Sequence, residues 1–403
     1  MHVLLVTQYF WPESFRINEL VNAMQRTGIK FTVLTGQPNY PEGQIFKGYK
    51  AFSIKREYKD SIEIIRVPMV ARGKSNAIKL ALNYLSYILF ASFLGPWLLR
   101  RKKFDTIFVY APSPILQVIP AIIIKKIKKI PLITWVGDLW PESLVSTGFV
   151  KNKVILNLIA KLVSWIYKNN DLVLVQSQPF LKSVMQLAGN VPVRYFPNPG
   201  ENSFANGKDP VLTLQGYFHV VFAGNLGSVQ ALNMVIDAAT ILAMQQDIRF
   251  VLIGNGSQSA WLKMEIEVRG LTNVLMPGRY PPEEMPAIFD QADALLVSLV
   301  RDETMNLTVP AKVQSYMAAG RPIIAALNGE GARIVIEAGA GVASPAEDAE
   351  ELVKAVLKLK GLSRAELDEM GANGRVFYQK HYHPDVLAAQ LSKWMAELRV
   401  FEY

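Results

Sequence analysis

Runs of four to six apolar residues recur along the chain, separated by polar loops and by segments with apolar residues at helical spacing. A run of this length fits a buried strand, and the segment after it fits a helix with one apolar face. Strands that alternate with helices predict a parallel sheet covered on both faces, which is the α/β class. In the first half, the predicted strands are 2–7, 30–35, 106–110, 132–136, 172–176 and 193–195.

The pattern restarts after residues 196–202, FPNPGEN, whose Pro, Gly and Asn residues are typical of a linker. Glycines follow the strands of this second half, at points where backbone must approach a ligand closely. We therefore predict two doubly wound, Rossmann-like domains. They comprise residues 1–198 with the C-terminal helix 384–403, and residues 199–383. The strands predicted in the second half are 220–223, 249–253, 274–276, 294–300 and 323–327.

The most informative stretch is residues 301–331, RDETMNLTVPAKVQSYMAAGRPIIAALNGEG. A polar loop follows strand 294–300, and Pro310 stands where a helix can begin, because its fixed φ suits the first turn. Gly320 is suited to end that helix in a left-handed conformation. The free N–H groups of the helix start would form an anion site, to which Lys312 can add a positive charge. The alternative is an ordinary βαβ crossover without a ligand.

A second candidate site follows strand 132–136, in the sequence GDLWPES. Ligands of open α/β sheets lie beyond the carboxyl ends of the strands, which is where Asp138 and Glu142 are predicted. A carboxylate there can accept a proton from an attacking hydroxyl, and the Trp140 indole can stack on a sugar ring. The alternative for Asp138 is an N-cap of the helix that follows.

Loops after the first two strands complete this candidate acceptor site. The second loop, GQPNYPEGQIFKGY at 36–49, is too long for a simple turn and is predicted to form a wall of the site, with a surface loop as the alternative. The acceptor-binding residues predicted from these loops are Glu13, Arg16 and Tyr40.

Composition narrows the chemistry. The 403 residues include no cysteine, which excludes disulfides and thiolate catalysis, and the four histidines are scattered. The sequence contains no HExxH motif, no DxD pair after a strand and no GxGxxG motif, so neither a metal nor a dinucleotide is expected.

The net charge of +9 divides unevenly, with a balance of +16 in residues 1–200 and of −7 in residues 201–403. A basic half suggests a nucleic acid or an anionic membrane as its partner. We favour a membrane, because nucleic-acid-binding motifs are absent from the sequence.

Residues 77–99 form an apolar stretch about as long as a membrane span, roughly 20 residues. Polar residues and Gly95-Pro96 interrupt it, RRKK follows at 100–103, and two more basic segments lie at 125–129 and 151–168. A true span would put strands of one sheet on opposite sides of the membrane. We therefore predict helices that lie in or on the interface, with Lys and Arg at the headgroups. A buried core helix is the alternative.

Several segments together resemble a known family. The strings LIGNGSQSAWLKMEIEVRGLTNVLMPGRYPPEEMPAIFDQADALLVSL, AKVQSYMAAGRPIIA and GARIVIEAGAGVA are similar to the nucleotide-binding domain of GT-B glycosyltransferases of the glycosyltransferase 4 family. TQYFWPE, TGQPNYPEGQIFKGY and DLWPESLVSTG resemble its bacterial O-antigen and capsule branch, most closely the O-antigen N-acetyl-L-fucosamine transferases (WbuB type). The resemblance covers nearly the whole chain. It implies two Rossmann-like domains facing across a cleft, a UDP-sugar on the second domain, and a metal-independent, retaining reaction.

The chain departs from the family pattern at charged positions. The two glutamates of the family's E-x7-E motif fall at Leu307 and Ser315, and its basic pair falls at Asn225 and Gln230. Positive charge for the leaving diphosphate must therefore come from elsewhere, and Lys312 is the first candidate. The predicted catalytic residues are Asp138, Lys312 and Glu303. The predicted donor-binding residues are Gly224, Asn225, Leu226, Gly254, Arg279, Tyr280, Arg301, Asn306, Leu307, Thr308, Val309 and Ser315.

The resemblance implies an enzyme of O-antigen, lipopolysaccharide or other surface-polysaccharide synthesis. Its expected substrates are a UDP-sugar carrying N-acetyl-L-fucosamine and a polyprenyl-diphosphate-linked GlcNAc acceptor. No cofactor and no nucleic acid are expected, and the protein is expected at the cytoplasmic face of the inner membrane as a peripheral or monotopic protein. Two alternatives stay open: a non-transferring GT-B relative such as a UDP-GlcNAc 2-epimerase, and a sugar-nucleotide-binding protein without catalysis.

Overall fold

A computed structural model describes residues 1–73, 77–146, 152–200 and 211–400. The chain folds into two compact units. Unit 1 comprises Met1–Pro197 and Pro384–Tyr403, and unit 2 comprises Asn198–His383.

Unit 1 contains an eight-stranded sheet. Its strands are β1 His2–Val6, β2 Lys30–Thr35, β3 Lys55–Lys59, β4 Ile62–Arg66, β5 Thr106–Ala111, β6 Leu132–Val136, β7 Leu172–Val175 and β8 Val193–Tyr195. Their order is β3-β4-β2-β1-β5-β6-β7-β8. All neighbours are parallel except β3 and β4, which form an antiparallel hairpin at one edge.

Helices of unit 1 connect these strands. They are α1 Arg16–Arg26, α2 Ala77–Leu98, α3 Ile119–Lys128, α4 Glu142–Ser146, α5 Lys153–Lys168 and α6 Phe180–Ala188. Asn152 caps α5, because its side chain accepts the N–H groups of Val154 and Ile155.

Unit 2 contains a six-stranded, wholly parallel sheet in the order β11-β10-β9-β12-β13-β14. Its strands are β9 Phe218–Ala223, β10 Ile248–Ile253, β11 Val274–Gly278, β12 Ala294–Ser298, β13 Ile323–Ala326 and β14 Gly341–Ser344. Its helices are α7 Leu232–Ile241, α8 Ser259–Val268, α9 Met285–Phe289, α10 Glu303–Asn306, α11 Ala311–Ala319, α12 Glu330–Glu337, α13 Ala349–Lys360 and α14 Arg364–His381.

The last helix, α15 Pro384–Val400, belongs to unit 1. It packs on α1, and its Leu387, Leu391 and Met395 enter the hydrophobic core beneath β1. Apolar residues at this spacing form one face of the helix, and that face is shielded from water only when it packs against another element. Here α1 is that element.

The predicted strand, loop and helix around Pro310 are confirmed. β12 ends at Ser298, two residues before the predicted strand end, and α11 has the predicted bounds. Gly320 ends α11 in the left-handed conformation, with φ of 68°. The β3–β4 hairpin is missing from the sequence prediction, because KREYK of β3 contains no apolar run.

Candidate functional site

The candidate donor site lies where the strand order of unit 2 reverses, between β9 and β12. Connections leave to opposite sides of the sheet at such a point, so the carboxyl strand ends border a crevice. Gly224 follows β9 with φ of 139°, and Lys312, the second residue of α11, extends across it. A Cβ on Gly224 would lie 2.7 Å from Lys312 Cε. Glycine at this strand end therefore makes room for the lysine side chain.

The Lys312 amine contacts a neutral amide and an aromatic ring. Its Nζ donates a hydrogen bond to Gln230 Oε1 and lies 3.5 Å from the centroid of the Phe222 ring. Burial lowers the pKa of Lys312 to about 7. A phosphate bound beside Nζ would favour the protonated amine and raise that pKa again.

The loops after β9 and β10 form a floor made of backbone. A Cβ on Gly254 would lie 1.8 Å from the Gly224 carbonyl oxygen, and the Leu226 N–H donates to the Asn255 oxygen at 3.0 Å. These contacts require glycine at both strand ends. A ligand at this edge of the sheet would meet peptide groups rather than bulky side chains.

Tyr316, in the middle of α11, ties this helix to the end of β9. Its hydroxyl accepts the Ala223 N–H at 3.0 Å and donates to the Ala223 oxygen at 3.3 Å. The helix start and Gly224 are therefore held together by side-chain bonds as well as by packing. The sequence prediction missed Tyr316, because a tyrosine on a buried helix face has no distinguishing pattern.

Other predicted donor residues lie on the same chain segment as Lys312. The Thr308 hydroxyl donates to the Met305 oxygen at 2.9 Å. A Cβ on Gly329 would lie 2.0 Å from the Asn306 oxygen, so the loop after β13 closes against this segment. Ser315 is only 9% exposed on α11.

Two of the predicted donor-binding residues could offer only backbone groups to a ligand. Leu226 and Val309 are buried in hydrophobic clusters, so only their backbones are available to a ligand. Leu307 is half-buried after α10, and Glu303 is exposed at the first position of that helix.

Arg301 and Arg279, the other predicted cations, lie in the segments that follow β12 and β11. The Arg301 N–H donates to Glu347 Oε2 at 3.0 Å, and its guanidinium donates to the Ala346 oxygen, so this arginine supports the loop after β14. Arg279 follows edge strand β11, and β10 separates that strand from β9. Tyr280 packs against the core.

Asn225 and Gln230 stand where the resembled family has two basic residues. Asn225 is exposed and its amide lies over Gly227, where a Cβ would approach Nδ2 at 2.6 Å. Gln230 supplies no charge, but it is the hydrogen-bond partner of Lys312. At the positions of the basic pair in the resembled family this chain therefore has two uncharged residues, one of which contacts Lys312.

The candidate acceptor site lies at the reversal point of unit 1, between β1 and β5. Here we define the tyrosine cluster as Tyr9, Phe15, Tyr40, Arg72 and Tyr84. The Tyr9 and Phe15 rings stack with centroids 4.9 Å apart, and the Phe15 and Tyr40 centroids are 5.0 Å apart. Tyr84, on α2, lies close enough to Tyr9 for the two hydroxyl groups to influence each other's pKa. Flat aromatic faces of this kind suit a sugar ring or another weakly polar surface.

Asp138 lies beside this cluster. Burial raises the pKa of the Asp138 carboxyl, and the nearby Ser113, which follows β5, opposes that rise without cancelling it. The Asp138 charge also helps to raise the pKa values of Tyr84 and Tyr110. The pKa of Tyr110 is influenced by Arg16 and Tyr40 as well. The ends of strands β5 and β6 thus place a carboxylate with a raised pKa near residues that were predicted to bind the acceptor.

Glu13 is not placed to bind a ligand directly, contrary to the prediction. It is 1% exposed, and its Oε1 accepts the backbone N–H groups of Asn39 and Tyr40 at 2.9 and 2.8 Å. Burial raises the pKa of Glu13 to about 7. Glu13 therefore positions the loop that carries Tyr40.

Trp140 and Glu142 surround the start of α4, beside Asp138. Both are half-buried, and within the described ranges Trp140 Nε1 and Glu142 Oε2 are buried atoms without a hydrogen-bond partner. Because a buried donor or acceptor is costly to leave unpaired, these atoms are available to a polar ligand.

Three helices of unit 1 expose apolar residues. We call this the apolar–basic surface. α3 lies beside α2, and Lys126 of α3 lies over the Trp165 ring of α5. None of these helices contains Asp or Glu. The exposed apolar residues are Ile78, Leu82, Leu85, Leu89, Phe93 and Trp97 on α2, Ile127 on α3, and Val154, Ile155, Leu158, Leu162 and Trp165 on α5.

α2 is not a core helix. By length and composition it could cross a membrane, and only 17% of its most apolar window is buried. Lys and Arg residues follow it at 100–103. Among residues that the structure describes, no group of three His, Cys, Asp or Glu is placed to hold a metal ion.

Comparison with known proteins identifies the fold and the enzyme class. Residues 217–360 match the family model described as Glycosyl transferases group 1. Over its whole length the chain superimposes on all of a sucrose-phosphate synthase from Thermosynechococcus elongatus, with a TM-score of 0.74 and 16% identity. The fold is GT-B and the enzyme class is glycosyltransferase, and residues 217–360 of unit 2 carry the similarity to the group 1 family.

Further relatives of this glycosyltransferase agree. The putative colanic acid biosynthesis glycosyl transferase WcaI of Escherichia coli (strain K12) is 24% identical over 316 residues, which are 75% of this chain and 76% of WcaI. Anabaena Alr3699/HepE, solved in complex with UDP-glucose, has a TM-score of 0.67 and 15% identity, and the match covers 98% of this chain and 100% of that structure. The predicted GT-B fold and glycosyltransferase class are confirmed.

Proposed function

We propose that this glycosyltransferase transfers a sugar from a UDP-sugar to a polyprenyl-diphosphate-linked GlcNAc, with retention at the anomeric carbon, in O-antigen or other surface-polysaccharide synthesis. The observation that carries the proposal is the crossing of Lys312 over Gly224 at the start of α11. There, helix N–H groups and one lysine converge at a strand end with a glycine floor, the combination that suits a diphosphate.

Lys312 and the backbone of unit 2 would stabilise the leaving UDP. Negative charge grows on the diphosphate as the bond from its oxygen to the anomeric carbon breaks. Lys312 Nζ would exchange part of its contact with Gln230 for a phosphate oxygen, and α11 would direct its free N–H groups at the same anion. Ser315, lower on α11, would bind the ribose.

Asp138 would orient the acceptor hydroxyl in unit 1. Its raised pKa favours hydrogen bonding to, or accepting a proton from, a sugar hydroxyl. In this arrangement, Tyr40 and Trp140 would contact the acceptor sugar through their ring faces.

The apolar–basic surface would dock unit 1 on the cytoplasmic face of an anionic membrane, where a polyprenyl acceptor is anchored. Exposed apolar side chains gain by leaving water, and lysines at their margins attract acidic headgroups. The relatedness to WcaI supports a role in polysaccharide synthesis, and N-acetyl-L-fucosamine is the sugar that we propose from the sequence resemblance.

The test is transfer of label from radiolabelled UDP-sugars to lipid-linked GlcNAc by the purified full chain. We expect label in the lipid-extractable product with UDP-N-acetyl-L-fucosamine and less with UDP-GlcNAc. Thermal shift with the same UDP-sugars measures binding separately, because a ligand that binds only the folded state raises the melting temperature.

The two alternatives give different results in this assay. A UDP-GlcNAc 2-epimerase would convert its sugar nucleotide without any acceptor, and a non-catalytic binding protein would show a thermal shift and no product. Either outcome would overturn the transfer proposal.

A further inference from the structure

Arg72 is a neighbour of the acceptor site that sequence reasoning missed. It follows β4 in the segment that leads to α2. Its backbone N–H donates to Asn39 Oδ1 at 3.0 Å, and Asn39 is fully buried. The preceding turn is fixed as well, because the Asn83 amide donates to the Val70 oxygen at 2.6 Å. The position of Arg72 is therefore set by buried side chains.

The guanidinium of Arg72 lies on aromatic groups. Its Cζ is 5.4 Å from the Tyr40 ring centroid, and its Nη1 is 3.5 Å from the Tyr9 hydroxyl oxygen. Within the part of the chain that the structure describes, no carboxylate lies within ion-pair distance of Arg72, whereas Arg66 of the same unit pairs with Glu57. An aromatic support leaves the hydrogen-bonding edge of a guanidinium available to an anion.

The neighbours of Arg72 connect two surfaces. The charges of both Arg72 and Asp138 influence the pKa of Tyr84, so the arginine and the proposed hydroxyl-orienting carboxylate lie in the same region of unit 1 as this tyrosine. Tyr84 lies on α2, whose outer face exposes Leu82 and Leu85. A molecule that extends from the apolar–basic surface toward Asp138 would therefore pass Arg72.

We propose that Arg72 forms a phosphate-binding site of unit 1, which recognises the phosphate groups of a phosphorylated acceptor. The inference rests on the proposed transferase function and deepens it, since it assigns the acceptor's charged group to a residue. The planar fork of arginine suits bidentate contact with phosphate oxygens, whereas the tyrosine cluster suits the uncharged sugar beside them.

The test compares two soluble acceptors that carry the same GlcNAc. One is a short-chain alkyl diphosphate ester and the other is the corresponding alkyl glycoside without phosphate. In the absence of membranes, we expect wild-type protein to have a KM at least tenfold lower for the diphosphate, which is about the contribution of one charged hydrogen-bonded contact. Arg72→Met should abolish this preference, and Arg72→Lys should keep part of it, so the readout is the ratio of the two KM values within each protein.

A matched control removes the same charge elsewhere in unit 1. Lys30 is exposed at the start of β2, at the opposite end of the strands, and Lys30→Met should leave the diphosphate preference intact. Equal melting temperatures of Arg72→Met and wild type exclude unfolding as the cause. A lipid headgroup is the other possible source of the phosphate, and binding to phosphatidylglycerol vesicles without acceptor tests it. If Arg72→Met loses vesicle binding but keeps the preference for the diphosphate acceptor, the proposal is overturned in favour of a lipid headgroup.

Failure of the transferase function is distinguishable from failure of this inference. Titration of both acceptors, followed by tryptophan fluorescence, measures binding without turnover. Tighter binding of the diphosphate that disappears in Arg72→Met supports the site even if no sugar is transferred. Transfer with the same phosphate preference in Arg72→Met and wild type overturns the site and leaves the transferase function standing.

Discussion

The two candidate sites are built in opposite ways at equivalent places in their sheets. In unit 2, glycine backbone, a helix start and one lysine meet at the end of β9. In unit 1, five aromatic and charged side chains meet beyond β1, supported by the buried Glu13. Peptide N–H groups recognise a diphosphate whatever sugar it carries, whereas side chains select the shape of one acceptor. Under the proposed function, unit 2 would stabilise the leaving charge and unit 1 would select the acceptor.

The largest expected effect tests the donor side of this comparison. Lys312→Ala should lower kcat by about 100- to 1000-fold, because it removes the cation placed at the leaving diphosphate. The measurement is steady-state transfer at saturating substrates. Lys263→Ala, an exposed charge on α8, is the control and should have wild-type kcat. Near wild-type turnover in Lys312→Ala would remove this lysine from the mechanism.

The second effect tests whether only unit 1 meets the membrane. Leu89 and Phe93 are 54% and 75% exposed on α2, and replacing each by serine should weaken binding to phosphatidylglycerol vesicles by about tenfold per residue. Sedimentation with vesicles measures the partition. Val376→Ser, on α14 of unit 2, removes a similarly exposed apolar side chain and should change nothing. Equal losses in both variants would contradict a specific surface.

The third effect is the pH dependence of donor use. The pKa of Lys312 is lowered to about 7, so the free amine is charged below that pH and neutral above it. The kcat/KM for the UDP-sugar should therefore fall as pH rises through 7, by up to about tenfold per pH unit. Lys312→Arg keeps its charge and should flatten the profile. A profile unchanged by this substitution would assign the titration to another group.

The smallest effect is on the free energy of unfolding, and the pKa of Glu13 sets the sign of its pH dependence. Burial raises its folded pKa to about 7 from an ordinary 4.5. The folded state then binds more protons than the unfolded state between these values, so stability should fall as pH rises from 4.5 to 7. Glu13→Gln should remove this fall and be more stable at pH 8 by at most about 3 kcal/mol. Melting curves at pH 5 and 8 provide the test, and parallel pH dependence in both proteins would refute it.

Lys312 should have the opposite influence in a different range. Its folded pKa lies below its unfolded value of 10.5, so the unfolded state binds more protons between pH 7 and 10.5. Stability from this group therefore rises with pH in that window.

Strands and helices could be predicted where neighbouring residues in the sequence alone determine the apolar pattern. The strands β2 and β6 and the helix α11 have the predicted bounds, because buried parallel strands are largely apolar and Pro310 and Gly320 delimit the helix. The hairpin of β3 and β4 could not be predicted from β3, which lies at the edge and is mostly polar. Its pairing comes from the tertiary contact with Ile62–Arg66.

The residues of the candidate sites also fall into two groups, those that a local pattern marks and those that only tertiary packing brings together. Lys312 and Asp138 lie within a few residues of a helix start or a strand end, so a linear pattern is enough to predict them as candidates. Tyr84 and Arg72 join Tyr9 from chain segments more than sixty residues away, and no local pattern marks them. The burial of Glu13, Leu226 and Val309 likewise depends on packing that a linear pattern does not contain.

The helix α2 carries a kinetic consequence. Its outer face exposes apolar residues while its inner face supplies Tyr84 to the tyrosine cluster. An enzyme that enters the bilayer surface through this helix would search for its acceptor in two dimensions. Its rate would then follow the number of acceptor molecules per unit area of lipid, and diluting the acceptor with inert phospholipid would slow the enzyme even at constant bulk concentration.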